Sequence, residues 1–366
     1  MKIAVVAGEA SGDLHAGSVL RELKALDPAI RLFGIGGDHM RKEGAELLYH
    51  ARDLGFVGLF NVLRHIGMFR RVFRDLMARI EAERPDAVLL VDYPGFNLRV
   101  ARRARELGLK VIYFISPQVW AWHRRRIHEI ERNVDHMIVI LPFEEKFYRD
   151  HNVRVTYVGH PLIDQVAGVG RSAKRDGIVR IALMPGSRKR EVDDVLPAML
   201  DAVRILRSER AIEPFIVQAP TIEHDHLEGL VSKSGEKVPI LPRDRGEGLA
   251  AADIAISSSG TATLESAVLG TPVVVMYRLG RLTYRIARRL VKLPYFSLVN
   301  IVAGRKVVPE LMQDEVTGKN IAAAVREMLE PARYAQARTD MAEVRAKLGE
   351  QGASRRAAEA IMATLR

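Results

Sequence analysis

Three segments carry residue types and spacings suited to holding a nucleotide diphosphate: Ile181-Ala-Leu-Met-Pro-Gly-Ser-Arg188, Ser257-Ser-Ser-Gly-Thr-Ala-Thr-Leu-Glu265 and Thr271-Pro-Val-Val-Val275. In the first, an apolar strand runs into Pro-Gly-Ser-Arg and then a helix. In the second, small residues open a helix that carries a glutamate, and the third is a further strand. Small residues let a phosphate approach backbone N–H groups at a helix N-terminus. Gly186, Ser187, Ser259, Gly260 and Thr261 are therefore candidate diphosphate contacts. Arg188 is suited to hold phosphate oxygens bidentately. A cation in a first helical turn is poorly placed beside the helix dipole unless an anion is bound there, which favours a role over a surface arginine. Glu265, one turn into its helix, can grip ribose hydroxyls as acidic residues do in other nucleotide folds, or simply pair along its helix. The chain has no G-x-x-x-x-G-K-[ST], and Gly34-Ile-Gly-Gly37 is too short for G-x-G-x-x-G, so a nucleotide-sugar site is expected rather than a kinase site.

The other reactive residues lie in the first half. Asp92, in Asp92-Tyr-Pro-Gly-Phe-Asn97, ends a predicted strand. A carboxylate there can take a proton from an attacking hydroxyl or cap the next helix. Glu9, in Gly8-Glu-Ala-Ser-Gly-Asp13, follows the first strand and can orient a substrate or act as the base itself. Asp13 reads as the cap of the helix starting near Gly12, and Ser11 as a site contact. Asn300 offers an amide suited to a diphosphate or sugar contact, although asparagine is also a common loop residue. His224-Asp-His226 lacks a third clear ligand and reads as solvated surface, so no metal site is expected.

These residues need strand ends to position them. Candidate strands are Ile3–Val6, Leu32–Ile35, Ala87–Val91, Val111–Ile115, His136–Ile140 and Val155–Val158, with helical stretches such as Gly12–Leu26 and Leu98–Leu107 between them. Residues 165–177 read as a linker of Gly, Ser, Lys and Arg. A second series follows: Arg180–Met184, Glu213–Val217, Val238–Leu241, Asp253–Ile256 and Pro272–Val275. Alternating strands and helices predict an α/β fold, two doubly wound parallel-sheet domains facing a cleft. The first is expected over 1–168, the second over 176–335, with a charged helical segment at 336–366 that can pack back on the first. Ligands in such sheets sit beyond the carboxyl ends of the strands, where the motifs fall.

The 366 residues suggest two domains as a soft prior, and 48% hydrophobic content supports full cores. No cysteine is present, which excludes disulfides and thiolate zinc sites and fits a reducing compartment. The first strand ends at once in Gly8-Glu-Ala-Ser-Gly-Asp13, unlike a signal peptide. No uncharged run approaches the roughly 18 residues needed to cross a bilayer. The net charge of +11 suits nucleic acid, anionic lipid or phosphorylated substrates. Only 6% of residues are aromatic and no RNA-binding aromatic signature appears, so nucleic acid is not expected. Two basic amphipathic stretches, 55–74 and 277–292, mix large apolar residues with arginine. Such segments can lie in a membrane interface or turn their apolar face to the core.

Taken together, Val6-Ala-Gly-Glu-Ala-Ser-Gly-Asp13, Ser116-Pro-Gln-Val-Trp-Ala-Trp122, Leu141-Pro-Phe-Glu144, Pro185-Gly-Ser-Arg188, Ser259-Gly-Thr-Ala-Thr-Leu-Glu265 and Ser297-Leu-Val-Asn300 closely resemble the lipid-A-disaccharide synthase family of bacterial GT-B glycosyltransferases. They run in family order across nearly the whole chain. The resemblance implies joining of UDP-2,3-diacylglucosamine to 2,3-diacylglucosamine 1-phosphate through a β-1,6 link. UDP is released with inversion, and neither metal nor cofactor takes part. The lipid A precursor would be made at the cytoplasmic face of the inner membrane by a peripheral protein. The resemblance makes 1–168 the acceptor- and lipid-binding domain and 176–335 the UDP-sugar-binding domain, and gives Asp92 a role near catalysis, with Glu9 as the alternative base, and Arg188 the UDP diphosphate. Many members have a second aspartate where Gly95 stands here. Trp120 and Trp122, the only tryptophans, read as packing residues first and as lining of an acyl groove second. Acylated substrates favour the membrane reading of 55–74, through Phe56, Phe60, Arg64, Phe69, Arg70, Arg71 and Phe73. Self-association into a homodimer is left open. Two other readings remain. One is another GT-B UDP-N-acetylglucosamine transferase or a UDP-sugar 2-epimerase, against which the first two motifs argue. The other is a nucleotide- or lipid-binding protein without turnover, which would leave Asp92, Arg188 and Glu265 unexplained together.

Overall fold

The computed structural model describes residues 1–55, 66–121, 126–170, 177–242, 246–280, 284 and 293–366. The chain forms two compact units, Met1–Pro161 with Glu350–Arg366, and Leu162–Gly349. The division thus falls ahead of the Gly- and Ser-containing stretch at 165–177, and only the last helix of the charged C-terminal segment belongs to the first unit.

The first unit is built on seven parallel strands: β1 (Lys2–Ala7), β2 (Arg31–Gly36), β3 (Glu46–His50), β4 (Ala87–Val91), β5 (Lys110–Phe114), β6 (His136–Val139) and β7 (Val155–Tyr157), in the order β3-β2-β1-β4-β5-β6-β7. Successive side chains of a strand point to opposite faces. Ala4, Val6, Val88, Leu90, Val111 and Tyr113 join one core with Val72, Leu76 and Ile80 of the helix Ile66–Glu83 and Val100 and Ala104 of the helix Pro94–Glu106. Ile3, Val5 and Leu89 alternate with them and are fully buried as well. The helices Ala10–Leu26 and Ala353–Leu365 pack together and contact these strands. A sheet covered on both faces explains why its strands are nearly continuous apolar runs. The last helix is fastened by Lys110, whose Nζ donates to the Thr364 carbonyl at 2.7 Å, and by buried His136, which bonds the Thr364 hydroxyl at 2.6 Å. Burial pushes His136 down to about 4, so it is neutral at physiological pH.

The second unit has six parallel strands: β8 (Val179–Met184), β9 (Ile212–Gln218), β10 (Ile240–Pro242), β11 (Ile254–Ser258), β12 (Val273–Tyr277) and β13 (Glu310–Met312), in the order β10-β9-β8-β11-β12-β13. Its core gathers Ile181, Leu183, Ile216, Ile256 and Val274 with Val192, Leu196 and Met199 of the helix Lys189–Arg207 and Ile321 and Val325 of the helix Gly318–Leu329.

Both sheets reverse direction at one place. In the first, the chain runs from β1 outward to β2 and β3, then returns to add β4 on the other side of β1. In the second, β8 leads outward to β9 and β10 before β11 joins its opposite edge. Loops leaving two strands at such a switch point diverge to opposite faces and leave a crevice between them. The register aligns Ala7 with Val91 and Met184 with Ser257. Gly8-Glu9 and Asp92 therefore leave the first sheet at one level, and Pro185-Gly-Ser-Arg188 and Ser259-Gly-Thr261 leave the second at nearly one level.

Candidate functional site

The first switch point places two carboxylates. Glu9 is exposed in the turn after β1, immediately before the helix Ala10–Leu26. Asp92 is partly buried after β4 and has a left-handed backbone, φ 47°, followed by Tyr93 at φ 50°. Neither is glycine, and each such residue costs roughly 1–3 kcal/mol, a strain that persists only where its surroundings enforce it. Here they do. The Asp92 N–H donates to the Phe114 carbonyl at 3.0 Å. The Asp92 carbonyl accepts from Asn97 Nδ2 at 2.7 Å and from the Tyr113 hydroxyl at 2.6 Å. Asn97 is fully buried, and its amide also bonds the Val91 carbonyl at 3.2 Å. The ring of Tyr93 covers Gly8 so closely that a Cβ there would run into it. Burial, reinforced by the Glu9 charge, pushes the Asp92 carboxyl up from 3.8 to about 6. A base whose affinity for protons lies near operating pH is the efficient kind.

The second switch point is built around Gly186, whose φ of 118° is open to glycine and strained for other residues. A Cβ there would meet the Glu191 carboxylate. Glu191 reaches back from the first turn of the helix Lys189–Arg207 to accept from the Ser187 N–H at 3.3 Å. Ser187 and Arg188 are exposed, with Arg188 at the N-cap position. Burial raises Glu191 above the usual carboxylate range while neighbouring Arg188 pulls it down, and both groups also act on Tyr277 at the end of β12. Ser259 follows β11, its N–H donating to the Met276 carbonyl at 2.9 Å and its hydroxyl to the Phe296 carbonyl at 3.3 Å. Thr261 is exposed at the start of the helix Thr261–Val268, and Glu265 is buried one turn in, with Oε1 facing Gly246. The structure thus gathers Gly186, Ser187, Arg188, Ser259, Gly260 and Thr261 at one end of the second sheet.

Several expected roles change. Asp13 does not cap its own helix. Its carboxylate accepts from the N–H groups of Gly37 at 2.6 Å, His39 at 3.0 Å and Met40 at 3.1 Å, so it caps the neighbouring helix Asp38–Lys42. Asn300 is not available to a diphosphate or a sugar. It is fully buried, and its Oδ1 accepts from the N–H groups of Val307 at 2.7 Å and Val308 at 3.0 Å. Its Nδ2 donates to the Val308 carbonyl at 3.0 Å and to Glu310 at 2.9 Å. Both ends of the amide are consumed in fixing a loop.

Phe69 and Phe73 do not present free rings to a membrane. They are half-buried, they pack against the core, and their rings lie 6.5 and 6.0 Å from that of Phe96. Exposed residues beside them include Arg70, Arg71 and Arg74. Phe56, Phe60, Arg64 and Trp122 lie outside the described residues, as does most of the second basic stretch. His224 pairs with Glu228 and His226 with Asp193, two different carboxylates.

Two features were not read from the sequence. Glu191, three residues beyond Arg188, occupies the very turn that carries the expected diphosphate contacts. A buried set around Trp120 joins two motifs that sequence reading left separate. The first had a signal, since a glutamate in the first turn of a helix commonly reaches back to the N-cap region.

Two parallel doubly wound sheets in series, each with its polar loops at a switch point, define the GT-B fold. The chain is similar to the solved glycosyltransferase of kitacinnamycin (TM-score 0.60, 17% identity, covering 100% of this chain and 98% of that chain). It is also similar to a UDP-GlcNAc 2-epimerase from Neisseria meningitidis solved bound to UDP-GlcNAc (TM-score 0.63, 14% identity, 99% and 100% covered). Likeness at those identities speaks to the fold alone. The family follows from the sequence comparisons: the chain belongs to the lipid-A-disaccharide synthases, a family of glycosyltransferases, since the family model described as Lipid-A-disaccharide synthetase matches residues 3–364. It is 40% identical over 374 residues to the lipid-A-disaccharide synthase of Myxococcus xanthus, covering 100% of this chain and 97% of the relative. It is 42% identical over 375 residues to that of Trichlorobacter lovleyi, covering 99% and 97%.

Proposed function

We propose that the protein transfers 2,3-diacylglucosamine from its UDP derivative to the 6-hydroxyl of 2,3-diacylglucosamine 1-phosphate. The hydroxyl oxygen attacks the anomeric carbon as Asp92 takes its proton. The bond from that carbon to the diphosphate breaks, its electron pair stays on the diphosphate oxygen, and UDP leaves. Attack from the opposite face inverts the centre and gives the β link. Arg188 and the N–H groups of the Gly186–Arg188 turn meet the charge that grows on the leaving diphosphate, which favours the transition state over the ground state. Glu265 serves the ribose. The observation that carries this reading is Asp92, a base raised to about 6 and held at the first switch point in an enforced left-handed conformation. Purified protein given both diacylated substrates should yield the disaccharide phosphate and UDP by mass spectrometry, with undiminished yield in EDTA. UDP release without an acylated acceptor would point to the epimerase or another transferase. Tight UDP binding without product would point to the binding module.

The acyl chains of both proposed substrates anchor them in a bilayer leaflet, and extracting them into water would be costly. Among the described residues no helix is long and apolar enough to cross a membrane. We infer a peripheral association with the cytoplasmic face of the inner membrane, through exposed Arg70 and Arg71 rather than through Phe69 and Phe73. Near an anionic surface each arginine contributes about 1 kcal/mol. The double charge reversal R70E/R71E should therefore lower sedimentation with anionic vesicles by well over tenfold, with the circular dichroism unchanged. Equal sedimentation of the variant and the parent protein would exclude this surface as the contact.

A further inference from the structure

Two sequence motifs with eighteen residues between them meet in one buried cluster. Ser116 to Trp120 leave the end of β5, and Leu141 to Glu144 open the helix Pro142–Arg149 after β6. Glu144 is 2% exposed. Its Oε1 accepts from the indole N–H of Trp120 at 3.0 Å, and its Oε2 from the Leu141 N–H at 3.1 Å. Trp120, itself 7% exposed, stands edge-on to Phe143, with ring centroids 4.8 Å apart. The Ser116 hydroxyl bonds that of Tyr148 at 2.8 Å. The segment enters this cluster through Ile115, a β-branched residue at φ 63°, a conformation that persists only when its surroundings dictate it. Two residues before Ile115 stands Tyr113, whose hydroxyl donates to the Asp92 carbonyl.

A buried carboxylate is a costly device for packing alone, since an apolar residue of the same volume would avoid the desolvation. What it supplies is direction: two N–H groups must point at it, and the segment has one place to sit. We propose that Glu144 is a positioning residue of the acceptor half of the site, fixing the Ser116–Trp120 segment beside the Asp92 turn. It acts through the indole of Trp120 and the Leu141 N–H and touches neither substrate. The inference rests on the reading that Asp92, in the first unit, takes the proton of the acylated acceptor's hydroxyl.

The test is Glu144→Gln, which keeps the shape but turns one of the two acceptor atoms into a donor facing an N–H. The ¹⁵N-indole spectrum contains two tryptophan signals, and one of them should move. The KM for the acceptor should rise about tenfold, the scale of one lost buried hydrogen bond. The KM for the UDP-sugar and the calorimetric affinity for UDP should stay within about twofold. A merely structural role would lower stability and touch both substrates alike. If Glu144→Gln does not fold, Trp120→Phe, which removes the indole donor from the other side, should give the same selective rise. An unchanged acceptor KM in a folded variant whose indole signal has moved would overturn the proposal, and so would equal losses toward both substrates. Turnover by the wild type, measured first, reads the proposed function by itself, so the ratio of variant to wild type isolates this inference.

Discussion

Asp92→Asn should leave folding and UDP affinity intact and lower turnover by about 10²–10⁴-fold, the usual worth of a general base. The amide keeps the shape of the carboxylate, the bonds to Phe114, Asn97 and Tyr113 run to the backbone of residue 92, and the one its side chain accepts from the Tyr93 N–H can be accepted by the amide oxygen as well. The pH profile carries a second expectation. The base works only when deprotonated, and its carboxyl is raised to about 6 by burial and then by Glu9. Activity should therefore fall as pH drops through about 6, instead of holding to the ordinary carboxylate range. Glu9→Gln removes the repelling charge but leaves the burial, so the acidic limb should move part of the way to lower pH. Near-normal turnover by Asp92→Asn, together with a dead Glu9→Gln, would transfer the role of base to Glu9. An acidic limb that stays in place in Glu9→Gln would mean that the limb belongs to another group.

How much of this was legible depends on where each residue's partners lie. The central strands could be read because burial on both faces demands unbroken apolar runs, and Ala87–Val91 falls on its predicted bounds. Strands β3 and β13 were missed. They are edge strands, and none of the residues Glu46–His50 and Glu310–Met312 is more than partly buried, so burial imposes no such run on them. The switch-point motifs were legible because a strand end, small residues and a charged group occur together within a few positions. Asp13 and Asn300 were misread for the opposite reason. A polar residue looks available until its partners are known, and those of Asp13 lie 24 to 27 residues away. Phe69 and Phe73 looked like one apolar stripe too many because their partner, Phe96, belongs to a different helix. No periodicity in either motif says that Trp120 meets Glu144, since the contact exists only once β5 and β6 are paired.

Arg188→Ala should weaken UDP and the UDP-sugar together, by roughly 10- to 150-fold, the equivalent of the roughly 1.5–3 kcal/mol carried by a charge-assisted contact. The loss should appear in UDP affinity as well as in turnover, because the same diphosphate oxygens are held before and after the bond breaks. The local electrostatics sharpen the expectation. Arg188 begins the helix Lys189–Arg207, where the helix dipole disfavours a cation. In this structure Glu191 offsets part of that cost from within the turn. The Glu191 carboxylate and a diphosphate would compete for the Ser187 N–H, and on the proposed reading the arginine would tip the balance toward the doubly charged ligand. Its removal should therefore leave thermal stability nearly unchanged, since the side chain is exposed, while UDP binding by calorimetry collapses. Arg188→Lys keeps the charge but loses the planar fork, so it should recover only part of the affinity. Full UDP affinity in Arg188→Ala would remove the diphosphate from this turn and with it the donor half of the proposed reaction.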